Sequence, residues 1–345
     1  MCWPVVKHAS ALAVVVLLGA AGCARPAGEL FPPTVPARVW PAAPDRPRIR
    51  WVGALRGSED LHAGQSGREV WASFLRGPRP PIRFSTPHAI AISDDTLLAV
   101  ADGGAAAVHI VDLSTREHTL VSGFGNEQFA MPIGVAWAQK RLFVSDAQRH
   151  EVIELSASGS FVNRFGSKEL TRPVGIAFVD KLAALYVVDG GAHHIAVFDL
   201  HGVLQKTIGR RGEQPGQFNY PSYLSVRDGR MLVADSGNFR VQLLDLDGNV
   251  IRTIGQKGNG AGDFALPKGV AIDSSGHLFV VDAQFENVQI FDATGQLLLA
   301  FGNEGRSPGE FWLPAAVAID SRDRIWVADS GNRRIQLFSQ VRASS

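Results

Sequence analysis

Cysteine is nearly missing from this 345-residue chain, which has only Cys2 and Cys23. Beyond residue 23 there is no thiol, so disulfide staples and Cys-based metal sites are excluded there. An excess of one charge sign is missing too. Lys and Arg total 34 against 33 Asp and Glu, for a net charge of +1 and a pI near 7.9. That balance gives no basic surface for nucleic acid, and no nucleic-acid partner is expected. The uncharged run from Ala9 to Gly22 falls short of the about 20 apolar residues that a membrane span needs. Charged residues make up 19% and hydrophobic ones 46%, which excludes a disordered chain and permits a large core. Length alone suggests about two domains, but internal repeats argue for one.

What is present begins with the run itself. Lys7 precedes Leu12, Val14, Val15, Val16, Leu17 and Leu18, then Ala20-Ala21-Gly22 and Cys23. This order fits a secretory signal. It resembles a bacterial lipoprotein signal, which implies removal of residues 1–22 and a lipid on Cys23. The resemblance implies an exported chain anchored to a bacterial membrane. In a Gram-negative cell, Ala24 favours the periplasmic side of the outer membrane. Residues 24 to 48 hold seven prolines, so residues 23–48 are expected to form a semi-rigid tether. Phe31 and Trp40 are its two side chains suited to packing on the domain.

Self-similarity dominates from residue 84 onward. A phrase of proline, any residue, a small residue and an apolar run starts at Pro87, Pro132, Pro173, Pro221, Pro267 and Pro314. Each copy is followed by a β-branched run ending in Asp102, Asp146, Asp189, Asp235, Asp282 or Asp329. Two more strand-like runs follow, joined by Gly turns such as Asp247-Gly248 and Thr294-Gly295. Four short strands per unit of about 40 to 50 residues form a propeller blade. The sixth copy stops at Phe338, one strand short, and residues 49 to 55 supply a matching strand upstream. That strand is expected to complete the last blade and close the ring, removing open edges.

These units resemble NHL repeats. The matching residues are Pro267 to Ala271, Asp235 to Asn238 and Asp329 to Asn332. The resemblance spans residues 49–338 and implies an all-β, six-bladed propeller, leaving 339–345 as a tail. NHL propellers include enzymes and binding modules alike, so function must come from the site.

The aspartate repeated once per blade reads as a turn-former accepting backbone N–H groups. Function is expected where blades differ. The post-proline ring reads His88, Ile133, Val174, Ser222, Lys268 and Ala315. Blade four adds Tyr223 where other blades have Gly or Ala, as a gap filler or part of a pocket. The turns after strand two add His150, His193, His194 and Arg333, and the loop before blade four adds Arg210 and Arg211. The candidate ligand-binding set is therefore His88, Ser222, Tyr223, Lys268, Arg211, His150 and His193, presented on one face to an exported protein, peptide or glycan.

The competing reading is a metal-dependent lyase or hydrolase working in the axial channel. The repeats are similar to those of the lyase that cleaves peptidyl-hydroxyglycine, a resemblance that implies a zinc held by histidines. Only His88 stands in the post-proline ring, whereas catalytic zinc usually takes three protein ligands. Similarity to lactonase propellers implies calcium held by Glu, Asp and Asn near the axis, and the ring has none of these. There is no Gly-x-Ser-x-Gly with catalytic partners, no His-Glu-x-x-His and no phosphate-loop motif. A binding module without a cofactor is favoured, with zinc or calcium expected only if the chain is an enzyme.

Residues 58–86 are the one non-repeating insertion. Val70, Trp71, Phe74 and Leu75 share one face of a short helix, ended by Pro78, Pro80 and Pro81. Trp71 and Phe74 mark it as a cover on the propeller, a lid or docking element, or a membrane-surface helix. Repeat symmetry gives no oligomer signal, and a monomer is expected.

Overall fold

The structure is a computed structural model that describes residues 28–61, 80–93 and 95–341. Cys23, the signal segment, Trp71 and Phe74 lie outside the described residues. Five four-stranded antiparallel sheets and one five-stranded sheet form the blades. Blade one runs from Pro87–Ser93 to Glu117–Val121, blade two from Pro132–Ala138 to Phe161–Phe165 and blade three from Pro173–Val179 to Leu204–Ile208. Blade four runs from Pro221–Arg227 to Val250–Ile254, and blade five from Pro267–Ile272 to Leu297–Phe301. The first strand of each blade packs on the first strands of its neighbours, around the axis.

The closing strand Ile49–Leu55 pairs antiparallel with Arg334–Gln340, from Ile49 opposite Gln340 to Leu55 opposite Ile335. Blade six is thus built from both ends of the domain, and the ring is all-β and six-bladed. A short strand, Val39–Trp40, adds a fifth member by pairing with Ile49 and Arg50. The stretch from Val39 is therefore part of the sheet and not a free spacer. The physical reason is aromatic burial. Trp40 stacks 6.0 Å from Phe301 and 5.8 Å from Phe338. Phe31 meets Trp326 edge-on at 6.2 Å, over Gly53, where any side chain would collide with it.

Second and third strands are almost fully buried, because each sheet is covered on both faces by neighbouring blades. Ala99, Val144, Val187, Val233, Val280 and Val327 have no exposed surface. Fourth strands such as Phe161–Phe165 are largely exposed, which explains their mixed polarity.

Six aspartates with no exposed surface lie between these sheets and the loops. Each does more than shape its own turn. Asp146 accepts from the N–H groups of Gln148 (3.2 Å) and Arg149 (3.1 Å) in the turn. It also accepts from Ala130 (2.7 Å) and Met131 (2.9 Å) in the segment entering the blade. Asp189 and Asp282 repeat this double clamp. In blades four and six, guanidinium and amide groups replace the turn N–H donors. Arg240 lies 2.8 Å from Asp235 and Arg334 lies 2.6 Å from Asp329, with Gln242 and Gln336 beside them.

Blade one uses histidine at the same place. His109 Nε2 stands 3.3 Å from Asp102, and its Nδ1 is 2.8 Å from Nε2 of His118. Phe84 packs on both rings, with centroids at 4.7 and 5.8 Å. Burial, aided by the neighbouring His109, pushes the His118 imidazole down to about 3.

Two outcomes follow from these contacts. Asp146→Ala leaves four backbone donors unpaired and is expected to cost about 3–5 kcal/mol in chemical denaturation. His118 is neutral when folded but takes a proton near pH 6.5 when unfolded, so its stabilisation is present above that pH and fades as pH falls towards 3. Between pH 7.5 and 5, the wild type should lose up to about 2 kcal/mol more than His118→Gln in urea titrations.

Candidate functional site

The first strands line an axial channel whose upper mouth is ringed by the post-proline residues. His88, Ser222 and Lys268 meet there. His88 holds its Nδ1 at 2.8 Å from the Thr86 carbonyl, so Nδ1 carries the hydrogen and Nε2 is left to accept when the ring is neutral. Burial, followed by the charge of Lys268, lowers its pKa against the opposing hydrogen bond to Thr86. Ser222 is committed internally. Its hydroxyl lies 2.7 Å from that of Ser236 and 3.2 Å from the Lys268 carbonyl. Lys268 has no hydrogen-bond or ion-pair partner among the described residues, and burial together with Arg172 lowers its pKa.

Tyr223 does not belong to that mouth. The residue two places after the proline is Ala89, Gly134, Gly175, Gly269 or Ala316 in the other blades. These small residues are required by contact, since a Cβ on Gly134 would strike the backbone oxygen of Val174. In blade four the phenol crosses the resulting waist and hydrogen-bonds to the backbone of Ile90, in blade one on the far side of the ring. It packs on the cores on both sides of blade one and between blades four and five. Burial pushes its hydroxyl up to about 12. Tyr223 is therefore a plug, and below it lies a chamber of about 410 Å³.

His193, Arg211 and Tyr220 form a separate cluster on the upper rim. The Tyr220 N–H donates to His193 Nδ1 at 3.0 Å, and the two rings lie 4.5 Å apart. Burial, then the charge of Arg211, holds the His193 pKa down. His150 sits apart on the blade-two rim, its Nδ1 against the Thr171 carbonyl. Neighbouring Arg149 is satisfied by Glu127 and Glu151. The structure thus divides the candidate residues among the mouth, the waist and two sectors of the rim.

The rim also carries residues that sequence comparison overlooked. Tyr220 is 55% exposed, Leu313 50% and Trp312 40%. Tyr220 and Leu313 both take a left-handed backbone with φ +47, a strained choice for large side chains. Arg306 stacks over Trp312 at 4.8 Å, and Lys257 over Phe239 at 5.0 Å. Among the described residues, neither cation has a carboxylate partner. The signal was the position before each proline, which reads Thr86, Met131, Arg172, Tyr220, Leu266 and Leu313.

Among the described residues, no three His, Cys, Asp or Glu side chains are grouped to hold a metal. The buried aspartates spend their lone pairs on loop donors.

Comparison with known proteins agrees with this architecture. A family model described as a 6-bladed beta-propeller matches residues 217–285, and the NHL-repeat model matches residues 311–338. No curated protein matches the chain. A solved structure of unknown function from Bacteroides thetaiotaomicron is 17% identical, with 75% of this chain and 70% of that one covered and a TM-score of 0.61. An auxiliary nutrient binding protein from the same species is 12% identical, with 74% and 69% covered and a TM-score of 0.59. A catalytically inactive virginiamycin B lyase from Staphylococcus aureus, solved with quinupristin, is 12% identical, with 74% and 83% covered and a TM-score of 0.54. At these identities the likeness is one of fold.

The plug gives a test of its own. Tyr223→Ala should open the waist and lower stability by about 3 kcal/mol or more in thermal or urea unfolding, with Tyr223→Phe costing about 1 kcal/mol. Equal stability of Tyr223→Ala and wild type would show that the phenol does not fill the channel.

Proposed function

We propose that this six-bladed propeller, with an NHL repeat in its last blade, is a binding or scaffold module that captures a polypeptide partner on its upper face. The observation that carries the reading is a pair of rim sectors, Tyr220 beside His193 and Arg211 at the seam of blades three and four, and Trp312 and Leu313 beside Arg306 at the seam of blades five and six. These large apolar groups stay exposed, Tyr220 and Leu313 on strained backbone, and Tyr, Trp and Arg are the residues that dominate protein interfaces. The central Lys268, without a counter-charge, would receive a carbonyl or carboxylate from the partner. Closed sheets and clamped loops keep this surface in place before binding, which limits the ordering cost of association.

In this reading the module works outside the cytoplasm, held at a bacterial membrane by a lipid on Cys23, with a short spacer that ends where Phe31 packs on the domain. Metabolic labelling with a fatty-acid analogue checks the anchor. Wild type should take up the label and Cys23→Ser should not.

The binding surface is tested on peptide and glycan arrays with the purified chain. Trp312→Ala and Tyr220→Ala should each weaken the selected peptides by about tenfold or more while melting temperature is retained. Selection of glycans alone, or full binding by both variants, would refute the peptide reading.

A further inference from the structure

The chamber beneath Tyr223 is closed above by the phenol and open at the face opposite the rim. Its walls come from the far ends of the first strands, with Ile92, Trp137, Phe178, Ile272 and Ile319 around it. A volume of about 410 Å³ is in the range of small-molecule pockets and too small for a folded segment of a partner. Because the phenol blocks the waist, no chain can thread through.

The lining is not symmetric. Four residues after each proline, five blades carry Ala91, Ala136, Ala177, Ala271 and Ala318, and blade four carries Ser225. The same strand ends in Arg227. Tyr223, Ser225 and Arg227 alternate along one strand and so share one side, opposite Leu224 and Val226, which pack into the core between blades three and four. A polar stripe thus descends along one strand of the chamber, with Asp320 and Ser321 contributed by blade six.

The stripe retains free donors. Among the described residues, Ser225 has no side-chain hydrogen-bond partner. Arg227 is loosely held, with one nitrogen 3.4 Å from the Ile272 carbonyl and 4.0 Å from Asp323. The one carboxylate in the lining, Asp320, is already taken by Arg324 at 2.6 Å and Trp326 at 2.9 Å. The open polar capacity of the chamber is therefore donor-rich, beside aromatic and branched aliphatic walls.

We propose that this lower chamber is a second binding site, for a small amphipathic molecule with an apolar ring or short chain and one anionic or strongly accepting group. The apolar body lies against Trp137, Phe178 and Ile319, and the acceptor faces Ser225 and Arg227. The site is independent of the upper rim and does not rest on the peptide reading.

The test uses two fluorescent probes on the full chain, the anionic anilinonaphthalenesulfonate and its uncharged analogue phenylnaphthylamine. Wild type should bind the anionic probe saturably at one site and raise its fluorescence. Arg227→Gln should weaken that probe about tenfold and leave the neutral one nearly unchanged. Ala318→Leu and Ala177→Leu fill the chamber from different blades and should remove both, with cooperative melting showing that each variant folds. Absence of saturable binding in wild type would overturn the proposal. So would equal affinity in Arg227→Gln, or undiminished binding in a folded filling variant.

Discussion

The fold depends on one buried carboxylate per blade. Each aspartate ends a second strand and joins two loops that are distant in sequence, its own turn and the segment entering the innermost strand. The entry donors lie 15 to 18 residues upstream, as Met131 does for Asp146 and Thr171 for Asp189. A charged acceptor fully removed from water must find several donors or destabilise the fold. That requirement fixes the loop backbones while leaving their side chains unconstrained. The upper surface can therefore vary from blade to blade without loss of shape. The way the remaining lone pairs are used also varies, through guanidinium and amide in blades four and six and a histidine pair in blade one.

Much of this was legible because repetition is visible in sequence. Proline and aspartate spacing located every blade, and the missing strand after Phe338 pointed to Ile49–Leu55 as its replacement. What escaped were contacts across the ring. Turn chemistry predicts an aspartate bonded to the next few residues, but nothing local announces donors from the preceding loop. The hydroxyl of Ser222 looked free for a ligand, yet Ser236 from its own blade and Lys268 from the next one occupy it. Tyr223 was visible as an exception, but its direction depends on a waist that exists only once five small residues from other blades are brought together. The proline-rich segment read as a spacer by composition alone. Trp40 overrides that composition by burying its ring against Phe301 and Phe338.

The departure of blade four from its neighbours has consequences at both ends of the molecule. Its entry loop brings Tyr220 to the rim, its waist residue closes the channel, and its next two alternate positions line the chamber. The other blades supply glycine and alanine at the waist, where adjacent backbones leave no room. Five of them form a narrow annulus, and a single aromatic side chain spans what remains. One tyrosine is sufficient for that role and a second would collide with the first. The asymmetry thus follows from the geometry of a six-fold ring whose centre accommodates one large side chain.

This closure separates two environments. Above the phenol stand Lys268, Arg172 and His88, with burial and mutual repulsion weakening the hold of Lys268 and His88 on their protons. Below it the walls are mostly apolar, and the polar groups without close partners run along one strand. An anionic group above gains from unpaired cations; an amphipathic one below gains mostly from apolar contact. Because the two compartments meet only at Tyr223 and are carried by the same rigid inner strands, each can be altered by substitution without reshaping the other. A closed ring of repeats thereby offers two surfaces of different chemistry on a single core.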